Sequence, residues 1–286
     1  MNHDDHTFVK LDFEGVKTLV KWAEKEGWNP GLYDAEVFWR TDPDGFYGCF
    51  RNGEMVGGGS LVSYNGEFGF MGFFIVKPEF RLHGIGRKLW FRRRDTLLSR
   101  LNKGASIGMD GVVPMQPFYR KGGFEIAFRD ERHERPGETF PLDTHVSPVD
   151  EQDMEAIRAY DLHCFGFARP GFLKLLLNLP NSKAFKYLDK GGLKGFAIIR
   201  KAVRGYRVCP LFADDAVIAE ELYKACLNAV PGEFLCMDIP MTNENAVNLV
   251  KKYKTTYVFE CARMYYGKVP EIPIRKVFGI TTFELG

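Results

Sequence analysis

The residues best suited to chemistry lie in one stretch, 73–90, which reads F-F-I-V-K-P-E-F-R-L-H-G-I-G-R-K-L-W. It opens as an apolar run, breaks at Pro78, passes through a basic turn with two glycines, and resumes as a basic helical segment. A strand, a glycine loop and a helix N-terminus in that order suit an anion. Gly84 and Gly86 have no Cβ to hold a phosphate away from backbone N–H groups, and both can adopt positive φ. The helix start adds about half a positive charge and unpaired N–H donors. Arg81, Arg87 and Lys88 add full charges able to pair with phosphate oxygens. Taken alone, the pattern fits a glycine-kinked turn on a solvated basic surface equally well.

The elements that must position this loop follow from periodicity. Residues 15–27 carry Val16, Leu19, Val20 and Ala23 at helical spacing and stop at glycine. A second helix is expected over 33–40. Three aromatic-rich strands at 46–51, 55–64 and 68–76 are separated by N-G-E and Y-N-G-E turns, the mark of hairpins. A helix is predicted from Gly84 to about residue 101, then a strand at 105–110, a short helix at 117–121 and a strand at 124–133. The chain has 286 residues, long for one core and comfortable for two domains. Its net charge of +2 argues against general nucleic-acid or membrane binding. Six scattered cysteines without metal spacing read as buried free thiols, with no metal centre expected. No apolar run reaches membrane-spanning length and the start, with His3 and His6, reads as a polar tail, so a cytoplasmic protein is expected.

That element order, with a basic glycine loop between the third hairpin strand and the long helix, resembles the GNAT superfamily of acyl-CoA-dependent N-acyltransferases. Arg81-Leu82-His83-Gly84-Ile85-Gly86 resembles the family's pyrophosphate loop, Q/R-x-x-G-x-G/A. Tyr119-Arg120-Lys121-Gly122-Gly123-Phe124 is similar to its Y-x-x-x-G-F signature. An asparagine often stands shortly before that tyrosine in the family; Val112 stands there here. The resemblance implies acetyl-CoA as co-substrate, bound by Phe74, Ile75 and Val76 along the pantetheine arm and by Arg81 to Gly86, flanked by Arg87 and Lys88, at the pyrophosphate. It implies Tyr119 as the acid that protonates the departing sulfur. The base is less defined: Asp110, ending the strand beside the expected cleft, is the first candidate, with a turn role for Asp110-Gly111 or water-mediated proton loss as alternatives.

Three prolines in 134–148 and the lack of an apolar period there read as a linker. After it the same order returns: helices at 150–163 and 170–177, strands at 184–188, 193–203 and 206–212, a helix at 215–229, a strand at 234–239, a helix at 243–252 and a strand at 257–266. A tandem repeat follows. The expected division is a catalytic domain over 1–135, a linker over 136–148 and a degenerate GNAT-like domain over 149–286, giving tandem α/β (α+β) folds, each a mixed, mainly antiparallel twisted sheet flanked by helices. Where the second copy's phosphate loop should stand, the chain reads Ala213-Asp214-Asp215-Ala216. Paired carboxylates suit helix capping and repel a pyrophosphate by roughly 1–4 kcal/mol at about 4 Å. The second copy is therefore expected not to bind CoA. Glycine-tryptophan turns at 27–31, the segment 210–214 and the ending 277–286 add to a resemblance with GNAT proteins built in this two-domain way.

A substrate pocket is expected between the domains. Arg169, a charge among aromatics in F-G-F-A-R-P-G-F, is a candidate for a substrate anion or for pairing with a buried acid; Asp161 and Asp238 are candidates for an ammonium. Arg92, Arg93 and Arg94 cover most of a helix's circumference and read as a solvated face. The expected function is N-acetyl transfer to a primary amine of a small molecule in a ternary complex, by a monomer or homodimer. The alternatives are a non-catalytic acyl-CoA sensor and an enzyme with a protein or peptide acceptor.

Overall fold

The computed structural model describes residues 6–286. The first five residues, His3 among them, lie outside the described residues, and His6 begins the first strand. The first half opens with β1 (His6–Lys10), α1 (Phe13–Lys25), α2 (Asp34–Thr41), β2 (Phe46–Arg51) and β3 (Glu54–Ser60). It continues through β4 (Val62–Tyr64), β5 (Phe68–Phe70), β6 (Ile75–Val76), α3 (Ile85–Arg100), β7 (Ser106–Val112), α4 (Gln116–Lys121) and β8 (Phe124–Pro136). The second half opens with β9 (Val146–Pro148), α5 (Met154–Phe165), α6 (Pro170–Leu177), β10 (Lys183–Asp189) and β11 (Gly192–Lys201). It continues through β12 (Tyr206–Ala213), α7 (Ala216–Asn228), β13 (Phe234–Pro240), α8 (Glu244–Lys252), β14 (Thr256–Tyr266) and β15 (Val277–Gly279). The fold is mixed α/β, and the repeated order is the one the periodicities predict. Three short strands, β1, β9 and β15, carry no alternation long enough to read; β9 ends the stretch expected as a linker.

Local chemistry sets the elements. At α1, the Asp12 side chain accepts from the Gly15 N–H at 2.9 Å, and Val16, Leu19 and Ala23 bury one stripe. Such a cap is worth about 1 kcal/mol, and each buried aliphatic side chain roughly 1.5–3 kcal/mol. Leu19 fits because β3 offers Gly58: a Cβ there would stand 2.7 Å from Leu19 Cδ2.

The strand expected over 68–76 is broken, and the break makes the site. β5 pairs in parallel with β7, but β6 leaves that neighbour and joins β3 in a separate four-stranded sheet of order β1-β2-β3-β6. Between them the chain turns at Phe73, whose φ is +48°. A side chain at Gly72 would overlap the Glu284 carbonyl oxygen, so only glycine passes here. The result is a wedge, closed where β5 meets β7 and open where β6 departs.

The larger sheet runs β4-β5-β7-β14-β8-β13-β12-β11-β10-β9, with β15 attached to β12. Its centre joins the halves by exchange. β14, from the second half, lies between β7 and β8 of the first, while β8 lies between β14 and β13 of the second. Each half thus covers the sheet edge the other would expose, a standard way to suppress stray strand pairing. One consequence is that the halves are not two separately closed sheets; Pro136, assigned to the linker by sequence, is the end of β8.

Burial follows the exchange. β8 reads F-E-I-A-F-R-D-E-R-H-E-R-P, and its charges do not simply face water. Asp130 and Arg132 are buried, and Arg132 donates to both oxygens of Asp238 at 2.6 and 2.7 Å. Arg207 reaches the same carboxylate at 3.0 Å. Nearby, Arg200 of β11 binds Asp34 of α2 at 2.8 and 3.1 Å, a buried pair joining the halves. All six cysteines are free and buried.

Candidate active site

The glycine loop lies at the mouth of the wedge. Gly84 has φ +80° and forms the N-terminal boundary of α3, with no heavy atom within 4 Å of where its Cβ would be. No side chain caps α3 and its first turn has no acid. The N–H groups that begin the helix are therefore offered to the cleft rather than spent on the protein's own carboxylates. Arg81 turns back, donating from Nε to the Val76 carbonyl at 2.8 Å and pairing with Glu26. Leu82 and His83 are exposed, Leu82 completely so. Ile85 is buried, while Arg87 extends over the Phe91 ring at 5.7 Å. A cleft of about 450 Å³ runs inward from here, lined by Phe74, Ile75, Val76, Arg81, Leu82 and Gly86 among others. β6 is an edge strand on this side.

The cleft leads to a chamber. Trp28, Phe74, Val112 and Met115 line both the cleft and a smaller inner cavity of about 90 Å³. Apolar and aromatic side chains dominate the chamber walls, with Asp110, Tyr119, Arg132, Cys261 and Glu284 as its polar points. Phe259, Cys261, Phe283 and Glu284 come from the second half. Val112, in the place of the family's asparagine, lies at the junction.

Tyr119 sits on α4 at 4 % exposure, its ring 6.3 Å from that of Phe74. Burial raises its phenol well above the ordinary value, against the opposing charge of Arg93, so it holds its proton. The helix is placed by the glycines of the signature: a side chain at Gly122 would overlap the Trp90 ring, and Gly123 has φ +90°. Asp110 lies inside β7, so the turn alternative is excluded. Both its oxygens accept from Arg263, at 2.7 and 2.9 Å. Burial pushes its carboxyl up to about 6, although Arg263 pulls the other way. Cys261 is held as a thiol, its pKa raised well above normal by burial and by the neighbouring Asp110 and Asp130.

The residues expected to bind substrate meet other partners. Arg169 pairs with Asp161 at 3.0 and 2.8 Å, donates to Thr281 Oγ1 at 2.6 Å and to the Gly286 carbonyl at 2.8 Å, and lies 3.6 Å over the Phe165 ring. The buried-acid alternative describes it. Asp238 is held by Arg132 and Arg207; burial disfavours its charge, yet the two guanidiniums keep its pKa below the usual range. None of the three lines the chamber, and Asp238 is linked to it through Arg132, which lines it, and through Arg207, which stands 3.6 Å from the lining Glu284.

Two contributors escaped the sequence reading. Arg93, expected on a solvated face, is 1 % exposed. Its guanidinium donates to the carbonyls of Ser60 and Gly72, at the point where β6 departs from β5, with the Gly72 bond at 2.6 Å beside the one that carbonyl already accepts from the Ser60 N–H at 2.9 Å. It thereby fixes the wedge. Burial lowers its pKa to about 9. Gly59 makes room for it, since any Cβ would overlap the guanidinium. Arg94 does face outward in part, pairing with Asp95, and Arg92 is exposed. The second contributor is Glu284, on the segment after β15. A signal for Arg93 existed: the G-G-G run in β3 opposite an arginine-bearing helix needs something to fill it.

Residues 13–124 match a family model described as the acetyltransferase (GNAT) family, and residues 157–279 match one described as an acetyltransferase (GNAT) domain. The chain belongs to the GNAT superfamily. This GNAT protein is 28 % identical over 292 residues to a holothin acyltransferase of Pseudoalteromonas sp. (strain SANK 73390), covering 99 % of this chain and 96 % of that one. It is 23 % identical over 222 residues to an uncharacterised N-acetyltransferase of Bacillus subtilis, covering 75 % of each. Its fold is that of a putative acetyltransferase from Pyrococcus horikoshii, with TM-score 0.85 at 20 % identity over 100 % of this chain and 98 % of that one. A tandem GNAT protein from the clavulanic acid biosynthesis pathway superposes with TM-score 0.65 at 12 % identity, over 93 % and 99 %. The protein is an acyltransferase, and its family generally uses acetyl-CoA. The uncapped helix start, the αL glycine and the edge position of β6 fit that group: α3 and its basic flank would hold the pyrophosphate, and β6 the pantetheine. Among the described residues no cluster of three or more His, Cys, Asp or Glu could hold a metal ion, and no helix is long and apolar enough to cross a membrane.

Proposed function

We propose that this GNAT protein is an acetyl-CoA-dependent N-acetyltransferase acting directly, in a ternary complex, on a primary amine of a small molecule. The observation that carries this reading is the continuity of the cleft with a small chamber whose walls come from both halves. A cofactor held at the mouth would present its acetyl thioester to the chamber, where the acceptor's nitrogen bonds to the acetyl carbon as the carbon–sulfur bond breaks.

The chain's own residues divide the remaining work. Peptide N–H groups at 74–76 are donors for the carbonyl and the arm, a contribution of roughly 3–4 kcal/mol where such a donor serves an oxyanion. Tyr119, which keeps its proton, supplies one to the sulfur. Because Cys261 stays protonated, it is a poor nucleophile, which supports direct attack over an acylated cysteine. A peptide acceptor would need more room than a chamber of about 90 Å³, walled by side chains of both halves, provides. A mere acyl-CoA sensor has no use for a phenol and carboxylates gathered at the inner end of the cleft. Similarity over nearly the whole length to a protein named as an acyltransferase supports a role for both halves together. One chain carries all of the site residues named here, so a monomer suffices. The second half is assigned no cofactor site.

An acceptor screen with acetyl-CoA, following free thiol, tests the reading. Release is expected with small primary amines and not with peptides. CoA binding without release by any amine would overturn it in favour of the sensor.

A further inference from the structure

The segment after β14 has two jobs. Its first part fills the second half's own wedge: Val277 and Gly279 pair with Phe212 and Leu211 of β12, and the Ile280 N–H donates to the Asp238 carbonyl at 2.8 Å. The position that a pantetheine arm would take in the second half is thus taken by the protein's own strand. The segment then crosses to the first half. Tyr64 Oη donates to the Leu285 carbonyl at 2.9 Å, the Leu285 N–H to Thr282 Oγ1 at 2.8 Å, and Arg169 to Thr281 Oγ1. Between these anchors lies Glu284, 3 % exposed and lining the chamber.

The chamber's other charged groups are spent. Asp110 has Arg263 on both oxygens, and Arg132 gives Nε and Nη2 to Asp238 and Nη1 to the Trp28 carbonyl at 2.8 Å. Glu284 differs. Its Oε1 stands 3.6 Å from Arg207 Nη1, and its buried Oε2 has no hydrogen-bond partner. A buried carboxylate oxygen without a donor is costly, and a ligand N–H would remove that cost. Around it are the rings of Trp28, Phe73, Phe74, Phe259 and Phe283. A cavity of this size, with these walls, suits a flat apolar body and excludes long polyamines and sugars.

We propose that Glu284, supplied by the second half, is the group that receives the acceptor's amine, and that the acceptor is a compact primary amine on a flat apolar body. This rests on the N-acetyltransferase reading. In the transfer the nitrogen–carbon bond forms, one N–H proton passes to Glu284 Oε2, and the sulfur leaves with the electron pair of the broken bond and takes a proton from Tyr119. Proton return from Glu284 through solvent restores the phenol, so one N–H is exchanged for one S–H and no oxidant or reductant is needed.

The test uses the full chain saturated with CoA, which is unreactive, and benzylamine as the probe, with benzyl alcohol and spermidine as contrasts. Calorimetry is expected to show benzylamine binding to the wild type, and weaker binding of both contrasts. Glu284→Gln is expected to keep CoA affinity and lose about 10-fold or more in benzylamine affinity. With acetyl-CoA, its kcat is expected to fall about 100-fold, with Glu284→Asp recovering part of the loss. Equal binding and turnover in Glu284→Gln overturns the inference, as does absence of benzylamine binding by the wild type. Should Glu284→Gln not fold, the wild-type comparison decides: benzyl alcohol binding as tightly as benzylamine overturns the inference, and a preference for the amine supports it. Amine binding that depends on Glu284 without thiol release supports the recognition while defeating the transferase reading.

Discussion

Two helices in this molecule start at equivalent places, each after the strand that borders a wedge, and they treat their first N–H groups in opposite ways. α3 begins behind Gly84 with no acid and no cap, its donors unspent. α7 begins behind Asp215, whose side chain accepts from Val217 N at 2.9 Å and Ile218 N at 3.0 Å. Asp214 beside it is held by Tyr160 Oη and Lys276. The wedges differ in the same sense. The first is an open cleft; in the second, β12 pairs with β13 only at Tyr206 and Arg207, and β15 fills the gap beyond. The helix partial charge and the splayed strands belong to the fold, since both halves have them. What makes a cofactor site is leaving them unsatisfied. In the second half the protein satisfies both with its own atoms, and the strand that does so carries Glu284 onward to the first.

The largest expected effect tests whether chemistry is confined to the first half. Tyr119→Phe should lower kcat by about 100- to 10,000-fold while leaving CoA affinity unchanged, read by steady-state kinetics and calorimetry. The second half has no substitute: α8 is followed by Tyr253, whose hydroxyl is bonded to Glu220 at 3.0 Å. Unchanged turnover would remove the acid role.

Next in size is converting the first helix start into the second. Gly84→Asp places a carboxylate at the boundary of α3, and aspartate tolerates positive φ better than most residues. Repulsion of roughly 1–4 kcal/mol should weaken CoA binding by about 10- to 1,000-fold. Gly84→Asn, which has the same shape without the charge, should lose far less. Equal losses in the two variants would mean that shape, and not charge, separates the halves.

The sequence made this contrast readable because it is local. Gly84, Gly86 and the flanking basic residues against Asp214 and Asp215 sit in a few consecutive positions, and hairpin turns and helical periods fix the elements around them. The chamber was not readable, because its parts meet only through the strand exchange. Asp110 finds Arg263, and Arg132 finds Asp238, across a sheet whose order no periodicity encodes. Arg169 and Asp161 showed their unusual setting in sequence, but a charge among aromatics looks the same whether it awaits a ligand or a buried partner. Arg93 was misread for a related reason: three adjacent arginines cannot all face one way, yet which of them turns inward depends on the glycines of β3.

The exchange itself makes a third prediction. Asp130, on β8 at the seam, is fully buried with both oxygens unpartnered. Burial raises its pKa well above the ordinary value, and the charges of Asp110 and Asp238 add to this. In the unfolded chain the group ionises near its usual pKa of about 4. Its contribution to stability is therefore fully present below about pH 4 and is lost as pH rises toward the folded value. Asp130→Asn cannot ionise, so thermal melts should show the variant gaining on the wild type between about pH 5 and about pH 8, by roughly 1–3 kcal/mol at the upper end. A gap that does not widen with pH would mean the seam carries an ionised Asp130.

The smallest effect is the most direct check on what would keep a cofactor out of the second wedge. Asp214→Gly with Asp215→Gly removes the acids and the side-chain cap, and should cost only roughly a few tenths of a kcal/mol of stability, since glycine is itself tolerated at an N-cap. If the acids alone excluded the cofactor, the double variant should bind two CoA molecules per chain in a calorimetric titration. One is expected. β15 still hydrogen-bonds to β12 where a pantetheine would have to lie, and Asn243, which caps α8 through Asn245 N at 3.2 Å, also donates to the Val277 carbonyl at 2.8 Å and holds that strand in place. A second site in the double variant would show that charge, rather than the inserted strand, is what would exclude a cofactor there.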